Sequence, residues 1–350
     1  MTAACALKIG NRNIGDGFAP LVIAEVEQAH DGSLGAAHAF IDAIADAGAD
    51  AVKFQTHIAA AESTPAEPWR VKFSLQDATR FDYWKRMEFA ALQWVGLKEH
   101  ADRRGLIFLS SPFSPEAVGL LQQLGVPAWK VASGEVTNLP LVRLMAETKL
   151  PVLLSSGMST VEDLDRAIEV CRAAKAAHAL FQCTTVYPCP PEKTGLNLLM
   201  EFHRRYACPV GLSDHSGKIY AGLAAAAIGA AMVEVHVTFS RQAFGPDGPA
   251  SVTFPELKQL TEGIADIHRM RMAAVSKDSL SAEMAAMKGV FQKSIVARRE
   301  LKAGTLLAEQ DLALKKAGGG LPPDRLATVI GRKLVRNIGA DRALSEADLG

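Results

Sequence analysis

The segment CPVGLSDHSG, residues 208–217, begins apolar and ends polar. Val210 and Leu212 suit a buried strand, whereas Ser213, Asp214, His215 and Ser216 need partners or water. MVEVHVT, residues 232–238, repeats the pattern with His236. Six earlier runs behave alike: PLVIAEV (20–26), DAVKFQT (50–56), LIFLSSPF (106–113), AWKVASGE (128–135), PVLLSSGM (151–158) and ALFQCTT (179–185). Helix-like segments separate them. LGAAHAFIDAIADAGA (34–49) and FAALQWVGLKEHADRRG (89–105) carry glycine near or at their ends, SPEAVGLLQQLG (114–125) opens on an N-cap serine, and STVEDLDRAIEVCRAAKAA (159–177) opens on Ser/Thr and acids. Strands alternating with helices imply a parallel α/β sheet, and eight repeats over roughly 250 residues fit a (β/α)8 TIM barrel.

In such a barrel the C-terminal ends of all strands meet at one mouth. The polar strand ends would therefore share a pocket: Glu25, Lys53 with Gln55, Ser110 with Ser111, Lys130 with Ser133 and Glu135, Ser155, Tyr187, Ser213 with His215, and His236. A polar strand end alone means only that a strand meets water. Two lysines, a glutamate and two histidines on one face mean more.

Composition excludes several classes. Lys plus Arg and Asp plus Glu number 38 each, so net charge points to neither nucleic acid nor an anionic membrane. No apolar run approaches the ~18 residues of a bilayer span, and the N-terminal stretch lacks the pattern of a signal peptide. Five cysteines without a CxxC pair argue against a disulfide framework or zinc ribbon, and Cys183 and Cys189 read as reduced thiols. A cytoplasmic protein is the expectation. The stretch 57–88 is a long loop after the second strand, whose aromatics are expected to pack on one another rather than on a substrate. Residues 1–275 read as the barrel, 276–290 as a linker with helical tendency, and 291–350 as a small, loop-rich, β-prone domain. A unit that small buries little apolar area and is expected to lean on another surface.

His215 and His236 close neighbouring strands, so both imidazoles can reach one divalent cation and leave positions open for water and substrate. Asp247 is the candidate third ligand. Lys53 and Lys130 sit on apolar strands, where an ammonium group needs an anion. Ser111, Ser133, Ser155 and Ser213 can donate to the oxygens of a phosphate held by those lysines. Two alternatives stay open for each lysine: an ion pair with a carboxylate, or a Schiff base as in aldolases. Glu25 is either a proton carrier or the partner of Lys53, and Gln55 and Glu135 suit hydrogen bonds to a polyol.

Taken together, the motifs resemble the N-acetylneuraminate (sialic acid) synthase family across nearly the whole chain. IAEVEQAHDG is similar to IAEIGxNHNG, VKFQTH and LSSPFS to the motifs of strands two and three, and WKVASGE to YKIGSGE. LLSSGM resembles LSTGM, CTTVYPCPPE resembles CTxxYPTPxE, GLSDHSG resembles GLSDHT, VEVHVT resembles xEKHFT, and FGPDGPASV resembles xGPDxxxSx. The tail, from SIVARRELKAGTLL to LKKAGGGL, resembles the small antifreeze-like (SAF) domain with its KRPGxG signature. The resemblance implies a condensation of phosphoenolpyruvate with an amino-sugar aldehyde, giving a nine-carbon 2-keto acid and phosphate. Lys53, Ser111, Lys130, Ser133, Ser155 and Ser213 would hold phosphoenolpyruvate, and His215 and His236 would hold Mn2+ or Mg2+. Gln55, Glu135, Tyr187, Asp247 and Lys316 would face the sugar, and Glu25 would help with protons. It also implies a homodimer whose small domain covers the partner's barrel mouth. Departures gather at the sugar end. The family's GxN is Glu27-Gln28-Ala29, Val235 and Val237 flank His236 in place of lysine and phenylalanine, and Lys316-Ala317 replaces Arg-Pro. Lysine is a point charge where arginine offers a planar fork. The expected acceptor is therefore open among N-acetylmannosamine, a diacetamido hexose, mannose and a phosphorylated sugar. The competing functions are a Schiff-base aldolase or lyase and a non-catalytic sugar-binding barrel.

Overall fold

Each of the eight apolar runs forms a strand in the computed structural model, which describes residues 5–278 and 281–350. An antiparallel hairpin, β1 (Ala6–Ile9) and β2 (Arg12–Gly15), comes first. Eight parallel strands follow: β3 (Leu21–Glu27), β4 (Ala51–Thr56), β5 (Ile107–Pro112), β6 (Trp129–Val131), β7 (Val152–Ser155), β8 (His178–Cys183), β9 (Val210–Asp214) and β10 (Met232–Thr238). Their order is β5-β4-β3-β10-β9-β8-β7-β6, so the first and last barrel strands lie side by side. Glu25 pairs with His236 across that contact. β5 and β6 adjoin at the seam, and the ring of strands is a nearly closed (β/α)8 barrel. The chain divides into two units, the first running to Ala273 and the second starting at Ala274.

Period-two alternation sorts the side chains of the first unit. Leu21, Ile23, Ala51, Leu109, Leu153, Phe181 and Met232 point inward and fill the barrel. Leu7, Ile9 and Ile14 of the hairpin join that interior layer. The alternate positions, including Val22, Val52, Phe54, Phe108 and Leu154, pack outward with Phe40, Ile41, Ile44, Trp94, Leu97 and Leu121 of the helices. The helices begin where their caps allow. Ser33 caps Leu34–Asp46, and Ser114 accepts a hydrogen bond from the Ala117 amide at 3.1 Å ahead of Pro115–Leu124. Thr160 and Asp163 form a capping box at the start of Val161–Ala173.

Gly211 on β9 has no room for a side chain: a Cβ there would stand 2.7 Å from the Met232 carbonyl oxygen and 2.9 Å from the Phe181 ring. Gly211→Ala is therefore expected to destabilise the barrel by about 1–3 kcal/mol, measured by chemical denaturation. An unchanged midpoint would show that the interior yields at no cost.

The stretch 57–88 contains two short helices, Ala59–Glu62 and Arg80–Met87. Its aromatics do pack on one another, Phe73 standing edge-on to Tyr83 at 5.0 Å and Trp69 edge-on to Phe73 at 5.5 Å. The expectation that they do no more is corrected below.

The second unit holds a helix, Ala282–Phe291, then an antiparallel pair, Ser294–Ala297 with Leu312–Lys315. Isolated bridges join Leu301 to Ile338 and Leu334 to Leu349. Ile295, Leu301, Leu307, Leu312, Leu334, Ile338 and Leu344 form its own small core.

Candidate functional site

Above the apolar filling, the same inward alternation turns polar. Glu25 follows Ile23, Lys53 follows Ala51, Lys130 follows Ala128, Ser155 follows Leu153, and Glu234 and His236 follow Met232. These side chains converge on a cavity of about 390 Å³. Lys53, Gln55, Ser111, Lys130, Ser133, Glu135, Ser155, Tyr187, Ser213, His215, His236 and Asp247 all line it. Glu25 lies beneath the lining with no exposed surface. Lys316 sits on the second unit, exposed, with its Nζ 5.2 Å from the Phe291 ring centroid.

The floor is a quartet of two buried lysines and two buried glutamates. Lys53 is in direct contact with Glu25 and stands 3.7 Å from Glu234. Lys130 lies 3.4 Å from Glu234 and donates to Ser155 Oγ at 2.5 Å. Ser213 Oγ donates to Glu234 Oε1 at 3.2 Å. Of the two readings left open for the lysines, the ion pair is present. Burial disfavours each charge, so the partners decide the direction. For Lys53, Glu234 and Glu25 outweigh burial and hold the ammonium above its ordinary value. For Lys130, burial wins and, with Lys53 nearby, pulls it below the ordinary lysine value. Burial would raise Glu234, but Lys130 and Lys53 bring it below the usual carboxylate range. Glu25 stays above that range, because burial outweighs Lys53.

The two histidines stand with ring centroids 5.0 Å apart and planes nearly perpendicular. His215 Nδ1 donates to the Thr184 carbonyl at 3.0 Å, which leaves the lone pair on Nε2, and the Tyr187 hydroxyl donates to it at 3.1 Å. His236 is buried, and its Nδ1 has no hydrogen-bond partner. Burial, with His215 and the lysines beyond it, holds His236 well below the ordinary imidazole value, so it stays neutral. For His215, Cys183 and the Thr184 carbonyl outweigh burial and move it the other way. A neutral, unpartnered imidazole nitrogen beside a second imidazole whose tautomer is set by a carbonyl is a donor pair that suits a divalent cation.

The wall over the imidazoles comes from the 57–88 loop. Arg70 donates to Asp247 Oδ1 at 3.0 Å and lies over the Tyr187 ring at 4.8 Å. His57 is sandwiched between Trp84 and Phe113, at 4.1 and 4.4 Å between centroids. Trp69, Phe73, Tyr83 and Trp84 all line the cavity. The loop aromatics thus both fold the loop and shape the site, because closing the loop over the strand ends brings their outer edges to the cavity. Gln55 is engaged at both ends, donating to Glu25 Oε1 at 3.3 Å and facing His57 Nε2 at 3.1 Å through its oxygen.

The sequence reading missed Glu234, Glu27, Arg70, Cys183, His57 and Trp84. Glu234 had a signal, since it lies two residues before His236 on an alternating strand. Arg70 had none, because its approach to Asp247 is made by a folded loop. The departures sort by where they fall. Val235 and Val237 pack outward in the helix-facing core, and Ala29 packs against that core. Among these three and Glu27, Glu27 alone lines the main cavity.

His30, just beyond β3, is buried 4.7 Å from the Phe89 ring, its Nδ1 accepting from the Gly32 amide and its Nε2 unpartnered. Burial lowers its pKa from 6.5 to about 3. A base depressed in the folded state contributes stability above its unfolded value, lost as pH falls from about 6.5 toward 3. Between pH 6.5 and 5 this site is expected to remove about 2 kcal/mol of stability. Denaturation of the protein and of His30→Gln across that window checks it; equal slopes would refute the assignment.

Among the described residues, no helix is long and apolar enough to cross a membrane. Residues 40–276 match the NeuB family, and residues 292–350 match the SAF domain. The N,N'-diacetyllegionaminic acid synthase of Campylobacter jejuni is 33% identical over 93% of this chain and 99% of its own length. The human N-acetylneuraminate-9-phosphate synthase is 29% identical, over 93% of this chain and 91% of its own. The crystal structure of the N-acetylneuraminic acid synthetase of Leptospira borgpetersenii, in complex with citrate, is similar with a TM-score of 0.71 at 26% identity, covering 81% of this chain and 96% of that one.

Proposed function

The chain belongs to the NeuB family, and from that premise we propose that it is a nonulosonate synthase. It condenses phosphoenolpyruvate with N-acetylmannosamine or a related hexose aldehyde to give a nine-carbon 2-keto sugar acid and phosphate. The observation that carries this reading is the buried lysine pair beside a buried imidazole pair on one cavity floor. Anion-binding and carbonyl-activating groups then sit next to each other.

Lys53 and Lys130 balance Glu25 and Glu234, so the floor has no spare positive charge. An arriving enol phosphate competes with those carboxylates for the ammonium groups. Glu25 is the group that can yield, because burial already favours its protonated form. A proton taken up there frees Lys53 for the phosphate or carboxylate of the substrate. Ser111, Ser133, Ser155 and Ser213 add hydroxyl donors at no cost in charge. C3 of the enol bonds to the aldehyde carbon, and the aldehyde oxygen takes a proton. Water adds at C2 and gives up one proton; the hydroxyl left there passes its second proton to the departing phosphate as the C2–O(phosphate) bond breaks and C2=O forms. Because Glu25 is covered by Lys53 and Gln55, it serves this proton traffic through them. Gln55, Glu135, Tyr187 and Asp247 are assigned to the sugar. Mn2+ or Mg2+ held at His215 and His236 would supply Lewis acidity toward a carbonyl oxygen when bound. We also assign the enzyme to the cytoplasm, as a homodimer whose small unit brings Lys316 over the partner chain's cavity.

The test is phosphate release from phosphoenolpyruvate with N-acetylmannosamine, a diacetamido hexose, mannose and a phosphorylated hexosamine, each with and without Mn2+. Release with at least one acceptor is expected. Silence with all of them would remove the reading. A second reading, a Schiff-base aldolase, draws on the lowered pKa of Lys130. Borohydride trapping of pyruvate on Lys130 or Lys53 would establish it; no adduct is expected.

A further inference from the structure

We propose that His57, backed by Glu62, is a positioning residue that fixes the Gln55 side-chain amide as a hydrogen-bond donor to the sugar acceptor. The proposal rests on the reading that sets Gln55 against the sugar, and it names what decides which end of that amide the sugar meets.

His57 follows β4 directly, and Glu62 closes the short helix Ala59–Glu62 that comes next. Both line the cavity, and His57 is buried. Its ring lies nearly flat between two others, 18° from the Trp84 plane and 12° from that of Phe113. Stacking on both faces leaves the ring its edge alone for polar contacts. On one side of that edge Nδ1 meets Glu62 Oε1 at 2.6 Å, so a proton lies between them. On the other side Nε2 meets Gln55 Oε1 at 3.1 Å. An amide oxygen has no hydrogen to give, so the ring is the donor there. This holds whether the shared proton sits on Nδ1 or on Glu62, since Nε2 bears a hydrogen in both cases.

The amide is held from three directions. Gln28 Nε2 also donates to Gln55 Oε1, at 3.2 Å. Gln55 Nε2 donates to Glu25 Oε1 at 3.3 Å, which spends one of its two hydrogens. The second hydrogen remains for the cavity that Gln55 lines. Turning the amide over would set its nitrogen against two donors, His57 and Gln28. A bare Nε2 would instead put a lone pair against the amide oxygen and favour the turn. His57 thus settles that Gln55 offers an N–H, which suits a hydroxyl or acetamido oxygen of the acceptor. The 57–88 loop takes part through Glu62 and Trp84, so its folding is coupled to the orientation of a residue on the barrel strand.

The test is kinetic and spectroscopic, on the full-length protein with Mn2+ present and with whichever acceptor supports the fastest phosphate release. His57→Phe/Glu62→Gln keeps a ring between Trp84 and Phe113, removes both ring nitrogens and strands no carboxylate. It should raise the KM for the acceptor at least tenfold and leave that for phosphoenolpyruvate within about threefold. His57→Gln places an amide N–H where Nε2 stood and should bring the acceptor KM back to within about threefold of wild type. An unchanged acceptor KM in the double variant, an equal rise for both substrates, or no rescue by His57→Gln would overturn the proposal. In wild-type protein labelled with 15N-histidine, the His57 ring signals, identified by their loss in His57→Gln, should show a proton on Nε2 that shifts in Gln55→Leu. A bare Nε2 would overturn the proposal whatever the kinetics. Phosphate release with no acceptor at all would remove the condensation reading, and the Nε2 signal then decides by itself whether His57 holds Gln55.

Discussion

Replacing Lys53 by methionine will cost the protein stability and turnover together, and the two losses will separate in a double variant. Among the described residues, Lys53 is the only ammonium in direct contact with Glu25, which is otherwise offered Gln55 Nε2 at 3.3 Å. Removing one partner of a buried ion pair leaves an uncompensated charge and costs about 3–5 kcal/mol. Glu234 keeps Lys130 at 3.4 Å, so the damage concentrates on Glu25. Glu25→Gln added to Lys53→Met removes the stranded charge and is expected to restore most of the stability. It cannot restore the ammonium. Losing a charged anchor for a buried anion is worth roughly 2–5 kcal/mol, hence a fall of roughly 30-fold to a few thousandfold in kcat/KM in both variants. Urea denaturation and phosphate release, run on the same preparations, measure the two effects. Full turnover in either variant would show that Lys53 is a structural ion-pair partner and nothing more.

Replacing His215 and His236 together by alanine is expected to abolish condensation while leaving the phosphoenolpyruvate side of the cavity intact. Lewis-acid help to a carbonyl is worth several kcal/mol, so the expected loss is on the order of a thousandfold or more in kcat. The lysine–glutamate quartet lies on neighbouring strand positions and keeps its partners, so phosphoenolpyruvate should still raise the melting temperature. Turnover at the wild-type rate in the double variant, in chelator-treated buffer, would remove the imidazole pair from the chemistry. A lost melting shift with phosphoenolpyruvate would show instead that the imidazoles belong to anion binding.

Much of the architecture was legible because it is written in local periodicity. Each apolar run became a strand, and serine, threonine and glycine punctuation marked the helix ends, as at Ser114 and Gly125. The motif order placed the chain with the sialic acid synthases, and the NeuB and SAF matches bear that out. Strand alternation then predicts which residues face inward, which is why Lys53, Lys130, Ser213, His215 and His236 line one cavity. Glu234 obeys the same alternation and could have been read from it.

The sequence by itself determined the order of strands, the polar ring at their C-terminal ends and the family to which they belong, because these depend on residues a few positions apart. Only the tertiary structure decided who answers whose charge. Barrel closure through β3 and β10 sets Glu25 beside His236 in register and Glu234 between the two lysines. A bulge and a folded loop bring Glu27, Asp247 and Arg70 together over the imidazoles. Coulomb interactions act through space and depend on burial, and neither quantity is encoded in the spacing of residues along a chain.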